Sequence, residues 1–272
     1  MKSDTSTSRF FLDEDMGAVE EMPLAGGTVF VVSTRNPGRS EGNQDAAAII
    51  PLADDLGVLA LADGAGGQAS GADAARLAVE AIEATVRNRA PEEELRTAIL
   101  NGFEMANEAI RALGVGAGTT LAVVEVQGTW IRTYHVGDSG IVVAGQRGRI
   151  KTRTVDHSPT GYAVEAGLMN DREAIQHEER HLVSNIVGSE AMHIDIGPSM
   201  QLAAHDTVLV ASDGLFDNLH FDQIIERVRK GPLIVAITGM VKLCQSRMTN
   251  EPESRPSKPD DLTILAFRRS LP

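Results

Sequence analysis

Hydrophobic and polar positions divide the first part of the chain into strand-like and helix-like segments. Short apolar runs bounded by glycine, proline or aspartate predict β-strands. These runs are Thr28–Ser33, Ala46–Ile50 and Gly57–Ala62. From Ser70 the apolar residues recur every three or four positions, which predicts an amphipathic helix. A second helix is predicted from Pro91 to Gly114, and the short connection favours an antiparallel pair.

Strand-like runs return in the middle of the chain and again near its end. They are Thr119–Val126, Trp130–Val136, Ile141–Ala144, Arg149–Val155, Asp206–Ala211 and Leu262–Arg268. Turn signals separate the middle four, which predicts a meander. One or two helices are predicted in Phe221–Met248, with a break at Gly231-Pro232. Because strands and paired helices form separate groups, the pattern favours an α+β layered domain over a doubly wound sheet.

Composition and charge narrow the possible partners. The 272 residues carry a formal net charge of −13 and lack a basic run, so nucleic-acid and membrane-surface binding are not expected. Residues 1–25 are acidic without an apolar core, which predicts a flexible tail rather than a secretory signal; residues 26–272 are predicted as one domain. The single cysteine, Cys244, is typical of a reducing compartment, and we expect a cytoplasmic protein.

Aspartates stand at the edges of several predicted strands. They are Asp45, Asp63, Asp138, Asp213, Asp260 and Asp261. Strands of one sandwich end on common edges, so these carboxylates can converge. Their mutual repulsion would be costly unless divalent cations neutralised it, and oxygen ligands favour Mg²⁺ or Mn²⁺. A single Asp-Gly pair is more readily explained by a turn, but the number of strand-end sites favours a metal centre.

The ordered motifs around these aspartates resemble the metal-dependent PPM, or PP2C-type, serine/threonine protein phosphatases, particularly the bacterial form. They are Asn43-Gln44-Asp45, Asp63-Gly64-Ala65-Gly66-Gly67, Gly118-Thr119-Thr120, Gly137-Asp138-Ser139, Asp156-His157-Ser158, Ser212-Asp213-Gly214 and Asp260-Asp261-Leu262-Thr263. The resemblance implies a central antiparallel β-sandwich flanked by two pairs of antiparallel helices. It also implies hydrolysis of phosphoserine and phosphothreonine in phosphoproteins, opposing a serine/threonine kinase.

The same resemblance assigns roles to individual residues. Asp63 would bridge two Mn²⁺ or Mg²⁺ ions, and the Gly64 carbonyl would bind one of them. Asp213 and Asp260 would complete the other site, while Asp138 with Asp213 would hold a third, weaker ion. Asp45 would orient a metal-bound water. Asp45, Asp63 and Asp213 are therefore the expected catalytic residues, and a metal-bridging hydroxide is the expected nucleophile.

Three positions depart from the family pattern. Gln44 replaces a glutamate near the second metal and removes a formal charge there. Ala65 replaces a histidine proposed as general acid in eukaryotic members, so the leaving group must take its proton from solvent or another group. Ser40 occupies the position of the phosphate-binding arginine, and Arg39, one residue earlier, is the candidate substrate-binding residue.

Two other functions remain open from the sequence. His177-Glu178-Glu179-Arg180-His181 matches the H-E-x-x-H zinc-protease motif, although the downstream residues of that motif are missing. The segment at about 158–190 instead resembles the flap of bacterial phosphatases, which would control access to the site. A phosphatase-like module that binds phosphoproteins with weak catalysis is the second alternative.

Overall fold

The computed structural model describes residues 7–65, 68–250 and 256–270, which form two β-sheets with helices on their outer faces. The strands are β1 (Arg9–Leu12), β2 (Glu20–Leu24), β3 (Gly27–Thr34), β4 (Asp45–Ala53), β5 (Leu56–Ala65), β6 (Gly118–Thr119), β7 (Leu121–Gln127), β8 (Trp130–Val136), β9 (Gly140–Ala144), β10 (Ile150–Arg153), β11 (Asp195–Ile196), β12 (Met200–Gln201), β13 (Thr207–Ala211) and β14 (Leu262–Arg269). The helices are α1 (Gln68–Arg87), α2 (Leu95–Ala112), α3 (Pro159–Glu165), α4 (Asp171–Ala174), α5 (Asp213–Phe216), α6 (Phe221–Val228) and α7 (Leu233–Asn250), with a 3₁₀ helix at Glu178–His181.

Both sheets are antiparallel and their inner faces pack together. The first sheet has the order β1-β4-β5-β7-β8-β11, and the second has the order β10-β9-β13-β14-β3-β2. Strand β4 shows how the layers form: Ala47 and Ile49 pack between the sheets, whereas Ala48 and Ile50 face the core under α1 and α2. Because both faces of such a strand are buried, its sequence is continuously apolar.

The helices cover the outer face of each sheet. Helices α1 and α2 bury Ile82, Ile99 and Phe103 against the first sheet. Helices α6 and α7 bury Ile224 and Ile237 against the second sheet. The α+β sandwich predicted from the sequence is therefore confirmed, as is the break between α6 and α7. Of the described helices, none is long and apolar enough to cross a membrane.

The predicted meander is wrong, because the chain changes sheets after β8. Strands β7 and β8 pair in the first sheet, while β9 and β10 pair in the second. The crossing is made at Gly137, which has φ +100° and whose hypothetical Cβ would lie 2.6 Å from Thr120 Cγ2. Glycine therefore allows the sharp change of direction that places Asp138 between the two sheets.

The predicted N-terminal tail is also wrong over residues 9–24. Strand β1 pairs with β4, and β2 pairs with β3, so both extend the sheets at their edges. Phe11 is only 1% exposed and packs between the sheets. Most of the acidic residues that suggested a tail are exposed, so they gave no sign of the buried residues between them. Residues 1–6 of the predicted tail lie outside the described residues.

We expect Phe11→Ala to lower the free energy of unfolding by about 3 to 5 kcal/mol, because it leaves a cavity between the sheets. Urea unfolding followed by circular dichroism measures this change. Glu20→Ala, at an exposed position of β2, is the control and should shift the free energy by less than about 0.5 kcal/mol. Equally small effects of both substitutions would contradict a structural role for the N-terminal strands.

Candidate active site

The antiparallel pairing of β4 with β5 brings the first two predicted aspartates together. Asp45 begins β4 and is directly opposite Asp63, near the end of β5. Directly opposite positions in antiparallel strands have Cβ atoms only about 5 Å apart, so the two residues share one edge of the sheet. The two aspartates that the sequence predicts at strand ends therefore lie side by side in the structure.

Neighbouring strands of the second sheet supply the other carboxylates at the same edge. Asp213 follows β13 and begins α5, and Asp260 precedes β14, which is the antiparallel neighbour of β13. Together with Asp63 and Asp138, they line a cavity of about 480 Å³. The structure thus brings four of the predicted site residues into one cleft, and Gly64 lines it as well.

Burial and mutual repulsion make the ionised form of these carboxylates unfavourable. Burial, followed by the charges of Asp45 and Asp213, raises the pKa of Asp63 well above its usual value. Burial and the charge of Asp213 likewise raise the pKa of Asp138. For Asp260, burial and Asp213 raise the pKa to about 6. Such a cluster is favoured at neutral pH when a cation compensates its charge.

Two carboxylate oxygens at the site are buried without a hydrogen-bond partner among the described residues. They are Oδ1 of Asp45 and Oδ1 of Asp213. A buried acceptor without a partner is costly, and in functional sites it often marks the position of an ion or water. Apart from His181, the groups lining the cleft that could bind a metal offer oxygen atoms, which suit Mg²⁺ or Mn²⁺ better than zinc. The residues present therefore fit the predicted divalent cations.

Asp45 lies behind the cleft rather than on its surface. Its side chain is buried, and its Oδ2 accepts a hydrogen bond of 2.7 Å from Ser212 Oγ. Burial raises the pKa of Asp45 above its usual value, although the Ser212 hydrogen bond opposes the shift. Its place next to Asp63 suits a residue that orients groups bound in the cleft rather than one that contacts substrate.

Gly64 is required by the close approach of helix α1. A Cβ at this position would lie 2.3 Å from the carbonyl oxygen of Gly71, so any larger residue would push the helix away. The Gly64 amide donates to the Gln44 carbonyl at 3.2 Å, which links two of the predicted motifs. Gly66 and Gly67 of the same motif lie outside the described residues.

Arg39 is exposed and lines the cleft, and its role in binding substrate stays a prediction. Its loop is held by Asp261, which the sequence analysis left without a role. The two carboxylate oxygens of Asp261 accept the Asn36 amide at 2.7 Å and the Gln44 amide at 2.8 Å. Asp261 thus positions the backbone on both sides of Arg39. In the sequence, only its position next to Asp260 could have indicated that Asp261 belongs to the site.

Lys258 is the residue at the site that sequence analysis missed altogether. Its Nζ forms ion pairs with Asp213, with Asp217 Oδ2 at 3.0 Å and with Asp260 Oδ2 at 3.2 Å. Burial opposes the lysine charge, but the attraction of the three carboxylates outweighs it and raises the pKa of Lys258. Lys258 falls in a polar stretch whose sequence predicts a loop. No periodic pattern of apolar residues there indicates that the lysine side chain faces inward.

The segment at 158–190 lies beside the cleft, with α3, α4 and the 3₁₀ helix as its ordered elements. His181 and Val183 line the cavity with the carboxylates. Arg180 Nη2 donates to the Ser257 carbonyl at 3.0 Å, which ties this segment to the loop that carries Lys258. The segment therefore borders both the cleft and the loop before β14.

The zinc-protease motif does not form a zinc site. That motif needs two histidines on one face of an α-helix. His177 instead precedes the 3₁₀ helix in extended conformation, and its Nδ1 accepts the Glu179 amide at 3.2 Å. Only His181 of the pair lines the cleft.

A histidine cluster lies apart from the carboxylates. Ligand atoms of His135, His157 and Asp195 are within 4.8 Å of one another, close enough to consider a metal ion. However, His157 Nδ1 accepts the Gly137 amide at 3.1 Å, so Nε2 carries the proton and faces Asp195 Oδ2 at 3.2 Å. Burial lowers the pKa of His135 to about 4. The arrangement therefore favours a hydrogen-bonded packing cluster.

A cleft lined mainly by carboxylates between two packed sheets makes the chain a candidate metal-dependent hydrolase. A family model described as protein phosphatase 2C matches residues 34–241. The match covers most of the chain and includes all the motifs up to Asp213. The chain therefore belongs to the protein phosphatase 2C family.

Several curated relatives are bacterial protein phosphatases. Protein phosphatase PhpP of Streptococcus pneumoniae is 28% identical over 176 residues, which are 61% of this chain and 70% of PhpP. Serine/threonine protein phosphatase PstP of Mycobacterium tuberculosis is 26% identical over 218 residues, or 76% of this chain. The match spans only 39% of PstP, so much of that protein has no counterpart here.

Solved structures share the fold over nearly the whole chain. The serine/threonine phosphatase of Streptococcus agalactiae is 26% identical with a TM-score of 0.76, covering 89% of this chain and 99% of that chain. The catalytic domain of PstP in complex with two manganese ions is 23% identical with a TM-score of 0.67, covering 88% and 96%. The second likeness shows the fold alone.

Proposed function

We propose that the protein hydrolyses phosphoserine and phosphothreonine in proteins with two Mn²⁺ or Mg²⁺ ions, and a third at Asp138. The observation that carries this proposal is the convergence of Asp63, Asp138, Asp213 and Asp260 in one cleft, with a buried Asp213 oxygen left without a partner. The names of PhpP and PstP, and the manganese ions bound to the PstP domain, support it.

The donor set matches this chemistry. Asp63 and the Gly64 carbonyl would hold one ion, Asp63, Asp213 and Asp260 the other, and Asp138 with Asp213 the third. Divalent ions at such a site supply an activated water and neutralise the charge that develops on the phosphoryl oxygens. This chemistry needs no nucleophilic side chain from the protein.

Other residues bind and orient the substrate. Asp45, held by Ser212, would orient the water that attacks phosphorus. Arg39 at the rim could bind the phosphate with its planar guanidinium, which matches phosphate oxygens in pairs. Ala65 offers no acid, so solvent in the open cleft would protonate the leaving serine or threonine oxygen. The segment at 158–190 would select among phosphoprotein substrates. We expect a serine/threonine kinase to phosphorylate these substrates.

A phosphopeptide assay tests the proposal against both alternatives. Release of phosphate should require Mn²⁺ or Mg²⁺ and should stop when a chelator is added. Turnover that survives chelation would contradict metal-dependent hydrolysis, and phosphopeptide binding without turnover would favour a binding module. Peptide cleavage that depends on zinc would restore the protease hypothesis.

Gln44→Glu should tighten Mn²⁺ binding about tenfold, because it adds a carboxylate to a cleft that already carries oxygen ligands. Isothermal titration calorimetry measures the dissociation constant. Glu41→Gln, a substitution on the same cleft, is the control and should not tighten binding. An unchanged isotherm for Gln44→Glu would reject a role for this position near the metal.

A further inference from the structure

The Lys258 ammonium occupies the space between two of the proposed metal ligands. Its Nζ contacts Asp213 Oδ2 and lies 3.2 Å from Asp260 Oδ2 and 3.0 Å from Asp217 Oδ2. The lysine side chain is 21% exposed. The ammonium is therefore mostly enclosed by carboxylates rather than extended into solvent.

The backbone of Lys258 is fixed by a buried asparagine. Asn218 Nδ2 donates to the Lys258 carbonyl at 2.8 Å and to the Gly214 carbonyl at 3.0 Å. Its Oδ1 accepts the Lys258 amide at 2.9 Å. Because Asn218 is fully buried and also binds α5, it holds Lys258 in register with Asp213. The contact of Lys258 with the carboxylates is thus built into the fold.

An ammonium and a divalent cation that bind the same carboxylates repel each other, even where they contact different oxygen atoms. The ammonium carries one positive charge, whereas a divalent ion carries two and also coordinates several oxygens directly. Lysine has a flexible four-carbon stem, so its charge can move away without disturbing the backbone held by Asn218. Asp217, which does not line the 480 Å³ cleft, offers the displaced ammonium a remaining partner.

We infer that Lys258 is an internal cation that competes with the divalent ion for Asp213 and Asp260. Metal binding at these residues therefore includes displacement of the Lys258 ammonium. When no metal is bound, Lys258 stabilises the carboxylate cluster; when metal binds, breaking its ion pairs lowers the affinity. The ions concerned are those of the proposed function, on which this competition rests.

Calorimetric titration of Mn²⁺ into chelator-treated protein tests the competition. Lys258→Gln should bind Mn²⁺ about tenfold more tightly, within the usual range for coupling between two ligands. Removing any nearby positive charge also favours cations, so Arg39→Gln is the matched control. Arg39 lies on the same cleft, and its substitution should tighten binding by less than about twofold, as expected for a solvent-exposed charge.

Thermal unfolding gives a second readout that does not depend on activity. In chelator, Lys258→Gln should unfold at a lower temperature than the wild type, because its carboxylates lose their cation. Saturating Mn²⁺ should then raise the unfolding temperature more in Lys258→Gln than in the wild type. Lys151→Gln, which breaks the ion pair with Asp206 outside the cleft, should lower the unfolding temperature without enlarging the response to Mn²⁺.

The outcomes separate this inference from the proposed function. If the wild type binds Mn²⁺ and Lys258→Gln binds it no more tightly than Arg39→Gln does, the competition is refuted while the metal centre stands. Weaker binding by Lys258→Gln would likewise overturn it and make Lys258 a support of the metal site. If neither the wild type nor Lys258→Gln binds Mn²⁺, both the proposed function and the inference fail.

Discussion

Asp63→Asn is expected to lower kcat for phosphopeptide hydrolysis at least about a hundredfold. Asp63 is the carboxylate that both proposed ions would share, so its loss removes one ligand from each. The substitution keeps the size of the side chain and the backbone pairing of β5 with β4. Steady-state kinetics at saturating Mn²⁺ measures the effect.

Stability measurements distinguish this loss of activity from unfolding. Because burial and neighbouring charges raise the pKa of Asp63, a neutral asparagine should not destabilise the chelated protein. Asp54→Asn provides the matched control, since Asp54 is exposed in the turn of the same β4–β5 hairpin. Wild-type turnover by Asp63→Asn, or equal losses in both variants, would reject the assignment of Asp63.

The chelated protein is expected to lose stability as the pH rises from about 4 to about 7, because the buried carboxyls with raised pKa outnumber the histidines, such as His135, whose lowered pKa has the opposite effect. Burial raises the pKa of Asp260 and of Asp156 to about 6. A carboxyl whose pKa is higher in the folded than in the unfolded state binds its proton more tightly when folded. Its stabilising contribution is therefore complete at low pH and disappears as the pH passes the folded pKa.

The size of this effect follows from the shift. Each pKa unit corresponds to about 1.4 kcal/mol, so a two-unit shift is worth at most about 3 kcal/mol per group. Urea unfolding at a series of pH values in chelator measures the slope. Saturating Mn²⁺ should remove the slope or reverse it, because the cation favours the ionised carboxylates.

Variants identify the groups responsible for the slope. Asp260→Asn should flatten the pH dependence in chelator, whereas Asp54→Asn in the exposed turn should leave it unchanged. A chelated wild type that gains stability between about pH 4 and 7 would contradict the raised pKa values. A slope that persists unaltered in saturating Mn²⁺ would contradict cation binding by this cluster.

Much of the fold could be predicted from local patterns. Strand β8 has the predicted bounds, β13 and β14 differ from theirs by one residue at one end, and β3 extends one residue further at each end. The predicted and observed bounds agree because alternating or continuous apolar residues indicate directly which strand positions are buried. Helix α2 begins at Leu95 instead of Pro91, because residues 91–93 form a turn before it.

Predictions failed where pairing partners are distant in the chain. The predicted meander was wrong because the turn after β8 leads into the other sheet. A turn signal in the sequence does not show whether the strands on its two sides pair with each other. The N-terminal strands were missed because each gains its stability by pairing with an existing strand, β1 with β4 and β2 with β3. β1 has only four residues, and β2 carries little apolar pattern of its own.

The sequence by itself determined the kind of chemistry available and the ends of the strands that carry it. Asp45, Asp63, Asp213 and Asp260 are at strand ends because apolar runs begin or stop there, and that boundary is a local property of the chain. Their oxygen-only character already favoured Mg²⁺ or Mn²⁺ over zinc.

Only the tertiary structure decided which charges meet. Lys258 contacts Asp213 across 45 residues of chain, and Asp261 binds the Gln44 amide across 217 residues. Electrostatic attraction depends on distance in space and on burial, and neither is encoded in the local pattern of a polar loop. For this reason the carboxylates could be predicted from the sequence, while the lysine that neutralises part of their charge could not.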